Sequence, residues 1–241
     1  MAITERIKTY IDGFDKHLGG GIPKGHIVLI SGTAGTMKSS IGYNILYHNA
    51  LEEGLKGAYI SLEQDSESLI DHMEGLGLNH KSVEDKLVVL DIGKTRLETE
   101  DYGLRKSWSF IIKDLIESTK RERGLDLLII DSLNIYETMA GVEDPRMELF
   151  EFFKWLKGLG LTCFIISEMS RDPKAEFSEH GGDFLADGII HLALEMVDDI
   201  HSHRRIKCVK MRGSNHSTDF FALIFGSSKF RIPMGISDVW K

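Results

Sequence analysis

Two hydrophobic rhythms alternate along this chain. Compact apolar runs read as buried strands: HIVLISG (His26–Gly32), GAYISLE (Gly57–Glu63), KLVVLDI (Lys86–Ile92), LDLLIIDS (Leu125–Ser132) and LTCFIISEM (Leu161–Met169). Between them, apolar residues return at helical spacing. The stretch Ser39–Glu53 puts Ile41, Ile45, Leu46 and Ala50 on one side. Further helices are predicted around Ser66–Leu76, over roughly Leu104–Arg121 and over RMELFEFFKWLKGLG (Arg146–Gly160). Strands that are apolar throughout, each followed by a helix, predict a mostly parallel sheet with helices on both faces.

The last third changes rhythm. GIIHLALEM, RRIKCVKMRG and DFFALIFGSSKFRI follow one another with little helix between them. They predict an antiparallel meander added to the edge of the sheet, with DDIHSHRR as one of its turns.

Composition narrows this picture. The 241 residues fit one domain, residues 1–241, and 42% hydrophobic content is enough for a substantial core. The formal net charge of -8 argues against a free-standing duplex-DNA binder, although a local basic patch is not excluded. Cys163 and Cys208 both lie in apolar runs and read as buried thiols of a reducing compartment. The opening MAITERIKTY carries no apolar leader core, and no apolar run is long enough for a bilayer. A cytoplasmic protein without membrane insertion is the expectation.

Candidate chemistry begins at SGTAGTMKSS (Ser31–Ser40), between a predicted strand and a predicted helix. It approaches the phosphate-loop pattern G-x-x-x-x-G-K-S/T, with Met37 where the second glycine belongs. In such a loop the backbone N–H groups form an anion-binding concavity, reinforced by the helix N-terminus. Lys38 would reach the β- and γ-phosphates and Ser39 would take one Mg2+ position. An ordinary glycine-containing turn is the competing reading. For Met37 the expectation is a negative, helical φ, as the first residue of the helix, with its side chain leaning away from the phosphates.

Asp131 ends the apolar run LLIID, which is the Walker B pattern of a carboxylate that orients Mg2+; a helix-capping Asp is the alternative. Glu63 follows the strand after the phosphate-loop helix, where a carboxylate can activate water, or simply open an acidic loop. Ser167 and Glu168 end a buried strand near the expected γ-phosphate, as sensors or as caps. His201 and His203, with Asp198 and Asp199, read as an exposed turn rather than a metal site, and FEFFKWL (Phe150–Leu156) as core rather than a base-stacking platform.

Taken together, IDGFDKHLGGGIPKGHIVLISGTAGTMKSS, YISLEQ, LLIIDS, GIIHL and VKMRGSNH closely resemble the KaiC-type ATPases of the RecA superfamily, in their single-domain archaeal form. The resemblance covers most of the chain. It implies an α/β, RecA-like P-loop NTPase core with a C-terminal antiparallel extension. It implies ATP and Mg2+ held by Gly32, Thr33, Ala34, Gly35, Thr36, Met37, Lys38, Ser39 and Ser40, with Ser39 and Asp131 at the metal. It also implies a homo-oligomeric ring, a hexamer or similar, with ATP between subunits. In that arrangement Glu63 is the catalytic glutamate, while Lys210 and Arg212, with His216 close by, reach the neighbouring subunit's γ-phosphate.

Two positions depart from the family: Met37 in the loop, and Gln64 where a second glutamate is common. Both point towards slow hydrolysis. The function this implies is Mg2+-dependent ATP hydrolysis that couples nucleotide state to a protein partner. The alternatives are a weakly hydrolysing regulatory scaffold and a RecA-like DNA recombination or repair paralogue. The segments NIYETMAGVEDPRME and SRDPKAEFSEHGGDF, where DNA-binding loops would lie, carry more acidic than basic residues, which disfavours the paralogue.

Overall fold

The computed structural model describes residues 5–92, 108–140, 144–169, 181–196, 198 and 201–233. The strands are β1 (Arg6–Ile7), β2 (Ile11–Asp12), β3 (Ile22–Pro23), β4 (Ile27–Gly32), β5 (Gly57–Ser61), β6 (Leu87–Asp91), β7 (Leu127–Asp131), β8 (Thr162–Glu168), β9 (Gly188–Met196), β10 (Ser202–Met211), β11 (Phe221–Ala222), β12 (Ile224–Gly226) and β13 (Lys229–Arg231). The helices are α1 (Lys38–Glu52), α2 (Ser66–Gly75), α3 (Trp108–Arg123), α4 (Leu133–Ala140), α5 (Pro145–Gly158) and the single turn α6 (Gly182–Leu185).

The main sheet has eight strands in the order β11-β10-β9-β4-β8-β7-β5-β6. From β9 to β6 every pairing is parallel; β10 and β11 continue antiparallel. Why these strands read as unbroken apolar runs is visible in β7. Leu127 and Ile129 pack into the cluster under α1 and α2. Leu128 and Ile130 pack into the opposite cluster with α3, α4 and α5. Successive side chains of a strand face opposite ways, so a sheet covered on both faces needs apolar residues at every position.

The helices obey the complementary rule. On α5, Leu149, Phe152, Phe153 and Leu156 are buried while Met147 and Phe150 are exposed, so the apolar residues of FEFFKWL other than Phe150 pack into the core. Asp144 caps α5 by accepting from the Met147 N–H, and Asp65 caps α2 through the Ser68 N–H. Cys163 and Cys208 are both free and buried, and burial pushes each thiol up to about 12.

The C-terminal expectation holds in part. β9, β10 and β11 form an antiparallel meander, and β9 joins it to the sheet by pairing parallel with β4 along Val28–Gly32. The β12–β13 hairpin leaves it to join β2 in a separate three-stranded sheet. Ser202 and His203, placed in a turn by the sequence, lie inside β10, together with Arg204 and Arg205. The segment NIYETMAGVEDPRME is also less of a loop than expected, because α4 and α5 occupy most of it, and residues 141–143 lie outside the described residues. The other such segment falls largely on residues 170–180, also outside them. The same holds for residues 104–107 of the predicted long helix. Among the described residues, no helix is long and apolar enough to cross a membrane.

Candidate nucleotide site

The parallel strands β4, β8, β7 and β5 deliver their carboxyl ends to one edge of the sheet. Gly32 lies opposite Glu168, Ile166 opposite Asp131, and Asp131 opposite Ser61. This edge is where open α/β sheets bind ligands. A cavity of about 350 Å³ opens there, lined by loop residues including Met37, Lys38 and Ser39 together with Glu63, Asp131 and Glu168.

The loop between β4 and α1 is shaped by close contacts. A Cβ on Gly32 would come within 2.4 Å of the Leu192 carbonyl oxygen of β9, so glycine is required by the neighbouring strand's backbone. Thr36 Oγ1 donates to the Thr33 carbonyl at 2.8 Å and closes the loop on itself. Lys38 is the first residue of α1 and is 7% exposed. Its Nζ donates to the same Thr33 carbonyl at 3.1 Å and stands 3.7 Å from Glu168 Oε1. A buried ammonium with three donors, one carbonyl and one distant carboxylate is well matched to an incoming polyanion.

Met37 contradicts the sequence reading. It precedes α1 with φ of 70° and ψ of 33°, in the left-handed region, and its carbonyl accepts from the Ile41 N–H at 3.0 Å. The residue is therefore a cap that turns the loop, not the first helical residue, and its side chain packs beside the α1 core cluster while also lining the cavity. Left-handed backbone costs an L-residue about 1–2 kcal/mol, more for a β-branched one. Met37→Ile is accordingly expected to lose about 1–3 kcal/mol of stability. Met37→Gly, which trades relief of strain against lost packing, should stay within about 1 kcal/mol of the parent. Chemical denaturation reads both. A helical residue would give the reverse order, with glycine the more damaging change.

The acidic groups stand beside this loop. Tyr59, fully buried on β5, donates its hydroxyl hydrogen bond to the Asp131 carboxylate. Burial raises the Asp131 pKa above the usual carboxylate range, opposed by hydrogen bonds with Tyr59 and Ser39 and reinforced by the nearby Glu63 charge. Two acids sharing a part-buried cleft with a serine hydroxyl form an oxygen donor set suited to a hard divalent cation. Ser132 Oγ donates to Glu63 Oε1 at 2.6 Å and fixes the direction of that carboxylate. Gln64 lines the same cavity, but its amide is held by Ser68 Oγ at 2.8 Å and by His72 Nδ1 at 2.8 Å, against α2.

Comparison with known proteins fits this geometry. The KaiC ATPase family model matches residues 7–233. The chain belongs to the KaiC ATPase family. A UPF0273 protein of Thermotoga maritima is 33% identical over 226 residues, covering 88% of this chain and 89% of that protein. A UPF0273 protein of Saccharolobus solfataricus is 31% identical, over 97% of this chain and 81% of its own length. A circadian clock protein of Synechocystis is 28% identical over 90% of this chain, which spans only 38% of that protein's length. A KaiC-like protein from Pyrococcus horikoshii shares the fold, with a TM-score of 0.81 at 24% identity over 96% of this chain and 100% of its own.

In this KaiC-family chain Lys210 and Arg212 are not brought to their own phosphate loop. β10 runs antiparallel to β9, and Met211 pairs with Gly188 beside Val28, near the start of β4. At about 3.3 Å per residue, the length of β4 puts these cations roughly 15 Å from the loop at its other end. A register shift falls between Cys208 and Lys210, and β10 ends at Met211, so Arg212 lies just outside the strand that the run RRIKCVKMRG predicts. The two side chains still converge. Lys210 Nζ donates to the Asp183 carbonyl at 3.0 Å, and Arg212 Nη2 to the Phe184 carbonyl at 2.9 Å. Burial, and then the Arg212 charge, lower the Lys210 pKa. His216 Nδ1 lies 3.0 Å from the Ser214 carbonyl, whose residue is tied to Arg6 and Leu18.

Tyr59, Ser132 and Arg204 escaped the sequence reading. Arg204 Nε donates to the Gly35 carbonyl at 3.2 Å, joining β10 to the phosphate loop. Tyr59 carried a weak signal, a hydroxyl inside an otherwise apolar strand that needs a partner. His201 is paired with Asp198 at 2.8 Å, and among the described residues no three metal-capable side chains cluster.

Proposed function

We propose that this chain binds ATP with Mg2+ at the carboxyl edge of its sheet and hydrolyses it slowly, at interfaces between copies arranged in a ring, so that nucleotide state is relayed to a protein partner. One observation carries the reading: Lys38, Ser39, Glu63 and Asp131 line one cavity although they come from three separate places in the chain. Lys38 holds the β- and γ-phosphates, and the loop N–H groups and α1 N-terminus add to the anion site. Ser39 and Asp131 would hold the Mg2+, whose chemistry when bound is to screen charge on the phosphates. Glu63, directed by Ser132, takes the proton of the attacking water. Lys210 and Arg212 lie at the other end of the sheet from their own loop, which supports delivery to a neighbour rather than action within one subunit.

The weakly hydrolysing scaffold is the second reading, favoured by Gln64 being committed to α2. The first test is nucleotide binding. Lys38→Ala should weaken binding of a fluorescent ATP analogue by roughly two orders of magnitude or more, since it leaves buried phosphate charge without its cation. Parental affinity in that variant would refute the site.

A further inference from the structure

Resting on the shared-site reading above, we propose that Asp187 is the positioning residue for Arg212, a buried carboxylate that fixes the guanidinium where a neighbouring subunit's phosphate would meet it.

Asp187 lies just before β9, with its side chain 9% exposed. Such a carboxylate must be fully partnered, and it is. Its Oδ2 accepts from the Ile27 N–H at 3.1 Å, at the start of β4. Its Oδ1 accepts from Lys157 Nζ at 2.8 Å and from Arg212 Nη1 at 3.3 Å. The main chain repeats the link: Arg212 N–H donates to the Asp187 carbonyl at 2.8 Å, and Asp187 N–H to the Ile27 carbonyl at 2.8 Å. The acid is thus immobile, anchored to the first residue of β4.

Arg212 is the more exposed partner. Its side chain is 51% exposed, and a long exposed arginine ordinarily samples many rotamers. Here the guanidinium is forked between the Asp187 carboxylate and the Phe184 carbonyl, with half of its surface left outward. A planar donor fork held at two points loses little further freedom when its outer edge meets an anion. The acid's charge also acts on Lys210, partly offsetting the repulsion between Arg212 and Lys210, while Lys210 itself is held by the Asp183 and Phe184 carbonyls.

A positioning role and a purely structural one differ in what they couple to. In full-length assembled protein, Asp187→Asn should lower turnover roughly tenfold, the worth of one charge-assisted hydrogen bond, with ATP affinity unchanged. In an Arg212→Ala background the same substitution should cost nothing more, because the group it positions is gone. Lys157→Met removes the other cation from the same oxygen and should leave turnover at the parental level, so a loss there matching that of Asp187→Asn would overturn the proposal. Equal losses from Asp187→Asn in both backgrounds, or no loss in either, would also overturn it. If Arg212→Ala alone proves fully active, the shared site itself is what fails, a distinct result that removes the proposal's basis.

Discussion

Glu63→Gln is expected to bind ATP as the parent does and to lose turnover by on the order of 10²–10⁴-fold, the usual worth of a general base. Glutamine keeps the shape and still accepts the Ser132 hydroxyl bond that now holds Glu63 Oε1. What it lacks is basicity, and the base acts on water rather than on nucleotide, so affinity should not move. Lys38, Ser39 and Asp131 are untouched by the change. The measurement is phosphate release beside equilibrium binding of the same protein. Equal release by parent and variant would remove Glu63 from catalysis. If that shared rate is also no faster than ATP in buffer, the scaffold reading wins.

The second large effect concerns assembly. Arg212→Ala should cut turnover by on the order of 10³-fold or more if it behaves as an arginine finger supplied by a neighbour. Its removal leaves the loop, Glu63 and Asp131 of the same subunit intact, so nucleotide affinity should hold. Lys38→Ala protein has the complementary defect, an empty loop with an intact finger. Mixing the two inactive proteins should restore part of the activity, because some interfaces then pair a sound loop with a sound Arg212. A head-to-tail contact of this kind closes into a ring when the rotation permits. Full activity of Arg212→Ala alone, or turnover by a strict monomer, would end the shared-site reading.

Much of this molecule was legible before its structure. Continuous apolar runs ending in Gly32 and Asp131, each followed by a helix, specify a parallel sheet covered on both faces. The alternation of Leu127 and Ile129 with Leu128 and Ile130 between two cores shows why. Lys38, Ser39, Glu63 and Asp131 were named because strand ends and a phosphate-loop pattern are local signals. The Met37 conformation was not local. Met favours helices, but the loop must turn at the residue before Lys38, and that demand put φ at 70° against its propensity.

The sequence by itself determined most strands of the parallel sheet and the helices between them, and it named candidate residues for the cleft, because hydrophobic period and loop motifs act over a few residues at a time. Tertiary structure alone decided the neighbours. It put β9 beside β4 inside the parallel sheet, sent the β12–β13 hairpin out to β2, and set Tyr59 against Asp131 and Ser132 against Glu63. It also carried Lys210 and Arg212 to the far end of the sheet, onto Asp187. Strand order and the partners of buried polar groups depend on contacts between segments far apart in the chain. Each is settled by which faces must be covered and which buried donors and acceptors must be satisfied, conditions that exist only once the chain has packed.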